Sequence, residues 1–278
     1  MKLSRREMLG AAVCAAFSGT LPAAAGAKAP AATGGTLADW KPGELKIHFI
    51  HTGVGECQFF VFPDGTTMML DCGDHPAMTR LENSVPVMPD ASRLAGEWAA
   101  RYVLRVNPNK DKVDYLEVSH WHSDHTGSAR WQTDARGWNA GVKGCFRSGF
   151  ALAAEFLHFG RAIDRGYPDF ADPVPYVGDE DRMVEHLRHL YTYLGKRGYP
   201  DCDDPIPTAD GDLTSLGHMK RLYAALKERD GLSVEKFRLG ATDQIVPLKG
   251  PVKGFSVFNL CANGRIAMPD GSVRDVYG

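Results

Sequence analysis

Cysteine is sparse in this chain and has no metal or redox spacing. Its 278 residues hold six cysteines and no C-x-x-C pair. That composition argues against a cysteine zinc knuckle, a thioredoxin-like centre and a dense disulfide framework. Charge of one sign is also missing, since 32 Lys and Arg against 34 Asp and Glu leave a formal −2. Beyond residue 30 no cluster of Lys and Arg is interleaved with aromatics. Nothing therefore selects nucleic acid or an anionic membrane as a partner. No apolar run after residue 30 reaches the ~18–20 residues of a membrane span. There is no internal repeat and, past the N-terminus, no low-complexity tract.

The first residues are of a different kind. Arg5-Arg6 is followed by a weakly hydrophobic, alanine-rich run from Ala11 to Leu21, and small residues offer A-x-A sites at Ala23–Ala25 and Ala25–Ala27. The pattern predicts a twin-arginine export signal over 1–27 and a linker over 28–43, which places the mature protein in the periplasm or outside the cell. The mature chain would keep five cysteines, an odd number.

From residue 44 the pattern is that of an α/β domain. Leu45, Ile47 and Phe49 alternate, Gln58 to Phe62 forms a second strand, and Pro63-Asp64-Gly65 turns the chain into a third strand ending at Asp71. Ser92 is placed to cap a helix to about Val106 with Leu94, Trp98 and Tyr102 on one face, and Val113 to Ser119 returns as a strand. Residues 130–235 read as a mainly helical insertion with helices at about 150–165, 181–196 and 214–229. Strands are expected again at Gln244–Leu248 and Phe255–Leu260, followed by a hairpin around Pro269-Asp270-Gly271.

The strongest signal is Ser119-His120-Trp121-His122-Ser123-Asp124-His125-Thr126-Gly127, directly after the strand that ends near Val118. His120, His122 and Asp124 share the parity of an extended chain and His125 breaks it, so the loop must curl to gather all four. Imidazoles with a carboxylate beside them suit Zn²⁺.

This H-x-H-x-D-H motif, with Asp71 in Leu70-Asp71-Cys72-Gly73 at the end of an earlier strand, resembles the metallo-β-lactamase fold of metal-dependent hydrolases. His51-Thr52-Gly53-Val54-Gly55-Glu56-Cys57 is similar to the Asp-Val-Gly-Gln-Gly-Asp-Ala pattern of the branch containing competence-type DNA-uptake proteins, retaining both glycines and an acid at Glu56. The resemblance implies an αββα sandwich with up to two zinc ions at one edge. His120 and His122 would hold the first ion, Asp124 and His125 the second, and Asp71 would orient the loop from behind. A metal-activated hydroxide held in line by Asp124 would attack a small-molecule ester, lactone, lactam or phosphodiester.

The family also uses later ligands: a third histidine, a bridging aspartate and a final histidine. The corresponding Gly-Asp and His-x-Gly patterns do not occur after Phe237, and His218 is the last histidine. The expectation is a domain incomplete at its C-terminus, resembling its family over about 44–127 with a strand return at 237–276. It is either a hydrolase completed by other residues or an inactive fragment with weak or no metal binding. His48, His51, His75, His158, His186, His189 and His218 are the spare histidines, of which His51 is nearest the loop in the strand layout. Trp121, Trp131, Trp138, Tyr167 and Tyr176 either line a groove or pack the insertion, which is long enough to serve as a lid. A sheet left without its second layer would expose Phe59, Val61 and Met69 and self-associate through them.

Overall fold

The computed structural model describes residues 37–53, 55–74, 86–127, 142, 145, 147–168, 170, 215–262 and 264–275. Its frame is a six-stranded sheet whose strands lie side by side in chain order, β1 (Lys46–Phe49), β2 (Cys57–Val61), β3 (Thr67–Cys72), β4 (Lys112–Val118), β5 (His158–Asp164) and β6 (Ser233–Lys236). The pairs β1–β2 and β2–β3 are antiparallel, and β3 to β6 run parallel. The turn between β2 and β3 forms where Pro63-Asp64-Gly65 predicts it. Asp64 Oδ1 accepts from the Thr66 amide at 2.9 Å and its Oδ2 from the Thr66 hydroxyl at 2.8 Å, while Gly65 takes φ +86°.

Parallel neighbours need crossovers, and helices supply them. Helix α1 (Ala95–Val106) joins β3 to β4; a single turn α2 (Ser123–Thr126) and a short α3 (Gly149–Ala153) lie between β4 and β5; α4 (Ser215–Asp230) precedes β6. Helix α1 starts two residues later than a cap at Ser92 suggests: Leu94 is its N-cap, and Ser92 sits in a turn where its amide donates to Asp90 Oδ1 at 2.8 Å. Its buried face is Ala95, Gly96, Ala99, Ala100 and Val103, with Trp98 and Tyr102 only half-buried at its margin. Small residues win that face because α1 meets α3 backbone to backbone: a Cβ on Gly96 would lie 2.4 Å from the Gly149 carbonyl oxygen.

The expected helix at 150–165 is corrected. It ends at Ala153, and His158–Asp164 is a central strand paired to β4 on one side and β6 on the other. Leu152, Phe156, Phe159 and Ile163 have helical spacing, but burial on both faces of a parallel sheet also yields near-continuous apolar runs. The ends of the stretch 130–235 therefore belong to the main sheet; the expected helix at 181–196 lies outside the described residues. The helix at 214–229 is found as α4, closed by Gly231 at φ +69°.

Helices α1, α3 and α4 pack on one face of the sheet, where Phe59, Val61, Met69, Leu116, Phe150, Phe159, Met219 and Leu222 are buried. Phe59, Val61 and Met69 are thus fully covered, so they do not form the exposed face that was expected. The opposite face carries a smaller cluster of Phe62, Met68, Tyr115, Ile163 and Ile245, with Phe237, Phe255 and Val257 against it. The segment 244–260 that covers this face forms no strand, contrary to expectation. Its polar backbone is met by side chains instead of a ladder: the Tyr115 hydroxyl donates to the Val246 carbonyl at 3.1 Å, and the Leu248 amide donates to Thr66 Oγ1 at 2.7 Å. The expected final hairpin forms as β8 (Arg265–Ala267) and β9 (Val273–Asp275), joined by β7 (Cys261–Ala262) in a second, three-stranded sheet. Among the described residues no helix is long and apolar enough to cross a membrane.

Candidate metal centre

The parallel strands β3 and β4 end side by side, and the loop Ser119–Gly127 starts there. Asp71, the penultimate residue of β3, is buried and takes φ +54°, a left-handed conformation that Asp tolerates better than most residues. That bend turns its carboxylate under the loop. Oδ1 accepts from the Ser119 amide at 2.9 Å, and Oδ2 accepts from the Ser119 hydroxyl at 2.6 Å and faces His125 Nδ1 at 2.8 Å. With Nδ1 engaged, Nε2 is the nitrogen of His125 left to bind an ion, which is how a supporting carboxylate sets a ligand histidine. Burial opposes charge on His125, but the hydrogen bond and charge of Asp71 outweigh it and raise its pKa.

His120 and His122 sit on the same lip. His120 Nε2 and His122 Nδ1 are 3.0 Å apart, and the His120 ring centroid lies 4.6 Å from that of His122 and 3.9 Å from that of His125. Burial, then the neighbouring imidazoles His125 and His122, push the His120 pKa down to about 4. His122 is lowered as well, chiefly by burial, against the pull of Asp124. At neutral pH both are neutral rings with a lone pair to give. Two nitrogens on one tetrahedral zinc stand about 3.3 Å apart, so the observed pair needs only a few tenths of an ångström to share one. The donor set fits the ion. Asp124, the fourth residue of the expected set, has Oδ2 3.7 Å from His125 Nε2 and a side chain 44% exposed.

Two further supports hold the loop. The first is a close approach of three backbone segments. The Asp124 carbonyl accepts from the Glu56 amide at 2.7 Å, the Gly73 amide donates to the Glu56 carbonyl at 2.9 Å, and the Asp74 amide donates to the Ser123 carbonyl at 2.9 Å. A Cβ on Gly73 would fall 1.6 Å from the Asp124 carbonyl oxygen, so only glycine fits. The second is Trp121, between the two histidines. Its indole is buried and donates to Asp164 Oδ2 at 2.9 Å; the same oxygen accepts from the Tyr223 hydroxyl at 2.8 Å, and Asp164 Oδ1 accepts from the Gly166 amide at 2.8 Å. The end of β5 and helix α4 thereby fix the residue that separates His120 from His122. Of the two readings of the aromatics, Trp121 follows the packing one; Trp131, Trp138 and Tyr176 lie outside the described residues.

Sequence reasoning missed Asp164, and it saw Glu56 without giving it a task. Glu56, Asp71 and His125 each offer a ligand atom within 4.8 Å of the others. The acid two residues before the Gln58 strand, in a glycine turn, was the available signal. None of the spare histidines among the described residues joins them. His51 is exposed on the lip, His158 pairs with Asp230 at 2.9 Å at the start of β5, and His218 is buried with Nε2 3.3 Å from the Ser148 carbonyl. His75, His186 and His189 lie outside the described residues.

An α/β sheet that gathers imidazoles and carboxylates at the C-terminal ends of parallel strands defines a metal-site protein of the metallo-hydrolase kind. The metallo-β-lactamase superfamily model matches residues 52–225, and the chain belongs to that superfamily. No curated protein matches the chain.

Proposed function

We propose that this chain is a zinc-dependent hydrolase of small molecules, exported by a twin-arginine signal and acting in the periplasm or outside the cell. The observation that carries the reading is the convergence of neutral His120 and His122 with Asp71-anchored His125 and exposed Asp124 on one lip. A bound divalent ion would supply a lowered pKa for a coordinated water and an electrophile for the developing negative charge. The chain's own residues do the positioning. Asp71 holds the His125 ring, the Asp164–Trp121 contact holds the loop between His120 and His122, and Asp124 is exposed where it can orient a water and take up its proton. The near-neutral charge favours a small substrate over a nucleic acid.

The test is metal content followed by turnover. The purified chain, dialysed against a weak chelator, should retain zinc and cleave at least one of a panel of ester, lactone, lactam and phosphodiester substrates. His122→Ala should abolish both properties. A chain that retains no zinc would instead be an inactive member of the superfamily.

A further inference from the structure

We propose that Glu56 is a metal ligand, supplying the ion held by Asp124 and His125 with a carboxylate that the family's pattern does not assign at this position. The inference rests on the metal-dependent reading above and deepens it. Three observations lead to it. First, the Glu56 side chain, with Asp71 and His125, forms the one group of metal-ligating side chains found within 4.8 Å among the described residues. Asp71 is already committed to Ser119 and His125, so the ligand capacity of that trio lies with Glu56 and with Nε2 of His125.

Second, the backbone of Glu56 is built into the loop. Its amide donates to the carbonyl of Asp124, itself a predicted ligand, and its carbonyl accepts from Gly73, one residue past Cys72 at the end of β3. Gly55 makes this possible: at φ +147° it passes so near Gly73 that a Cβ would sit 2.8 Å from the Gly73 carbonyl. The Glu56 side chain is therefore carried to the lip by main-chain hydrogen bonds on both sides. Among the described residues its carboxylate accepts one long hydrogen bond, from Gln58 Nε2 to Oε2 at 3.3 Å, which leaves Oε1 for an ion.

Third, the lip is rich in acid. Asp71 and Asp124 both face His125 in their ion pairs, and Glu56 lies beside Asp71 and His125. The cations near these three carboxylates are His125, when protonated, and Arg165, whose guanidinium lies 5.2 Å over the Trp121 ring and acts on His122; a divalent cation adds to that balance. His158 and His218 are engaged elsewhere, with Asp230 and near the Ser148 carbonyl, and Glu56 of the β1–β2 turn is a carboxylate found beside His125.

The experiment is zinc titration of the full chain against a competing chelator, for the wild type, Glu56→Gln and Gln58→Ala. Cobalt(II) absorption spectra and metal-free melting curves accompany it. The expected result is at least a tenfold loss of affinity in Glu56→Gln, a changed cobalt spectrum, an unchanged metal-free melting temperature, and wild-type binding in Gln58→Ala. An isotherm and spectrum in Glu56→Gln identical to wild type would overturn the proposal while leaving the hydrolase reading standing. Weaker zinc binding with an unaltered cobalt spectrum would also overturn it, since charge alone would then explain the loss. Absence of zinc uptake by the wild type would overturn both readings together.

Discussion

The parallel pair β3–β4 is closed at both ends by the same device, used in two ways. At the lower end the carboxylate of Asp114, in β4, accepts from the amide of Thr67 at 2.8 Å and its hydroxyl at 3.1 Å, at the start of β3. At the upper end the carboxylate of Asp71, in β3, accepts the amide and hydroxyl of Ser119, just past β4. The surroundings differ. Asp114 also receives Asn109 Nδ2 at 3.2 Å and has the Lys249 ammonium at 3.7 Å, so its charge is answered within the protein. Asp71 has a histidine for its third partner, with Asp124 and Glu56 adding acid nearby. The lower clamp is complete and serves stability. The upper clamp is left with ligand capacity and acid to spare, which is what a binding site requires.

That contrast can be broken by substitution. The largest effect is expected from Asp164→Ala, which strands the Trp121 indole, the Tyr223 hydroxyl and the Gly166 amide in a buried place. Unfolding in urea should show a loss of about 3–5 kcal/mol, and zinc affinity should fall with it, because this contact serves both fold and loop. Next, Asp114→Ala should cost about 2–4 kcal/mol with zinc affinity unchanged, whereas Asp71→Asn should lower zinc affinity about 10–100-fold for a smaller loss of stability. Equal effects of the two on metal binding would erase the distinction drawn between the two ends.

Asp74 sharpens the same point through pH. Burial is the main cause that drives its pKa up to about 7, against hydrogen bonds from Gly149 and Ser148, and Oδ2 has no partner among the described residues. An ordinary Asp titrates near 3.9, so between there and pH 7 the folded state holds a proton the unfolded state has lost. Stability from this group is full below the unfolded pKa and is lost as pH rises to about 7. Asp74→Asn should therefore raise metal-free stability at pH 8 by up to roughly 4 kcal/mol and leave it nearly unaltered at pH 4, which melting curves at both pH values would show.

The smallest effect belongs to β1. It is an edge strand, with Ile47 46% and Phe49 80% exposed, while His48 on the other side is buried against Tyr102 at 3.1 Å. The alternation at 45–49 was legible, but its apolar side faces out. Ile47→Thr with Phe49→Ser should change stability by less than about 0.5 kcal/mol and raise solubility, read as the concentration at which light scattering appears.

What the sequence made legible is local. The H-x-H-x-D-H loop, Asp71 at a strand end, the Pro63-Asp64-Gly65 turn and helix α4 are each written within a few residues. What was missed depends on distant partners. Strand β5 was misread because a strand buried on both faces shares its apolar density with a helix, and only pairing with β4 and β6 decides between them. The segment 244–248 has strand composition, but Tyr115 and Thr66 side chains occupy its backbone groups. Asp164 lies 43 residues from Trp121, beyond the reach of any spacing rule.

The left-handed backbone at Asp71 narrows the substitutions open to this protein. The position must combine φ +54° with a short side chain that reaches both Ser119 and His125. Glycine meets the first demand and glutamate offers the charge, but neither meets both, and asparagine satisfies the backbone while weakening the grip on the histidine. A lineage that loses this aspartate has no single-residue replacement that restores the clamp. Its recovery would require the ends of β3 and β4 to be rebuilt together.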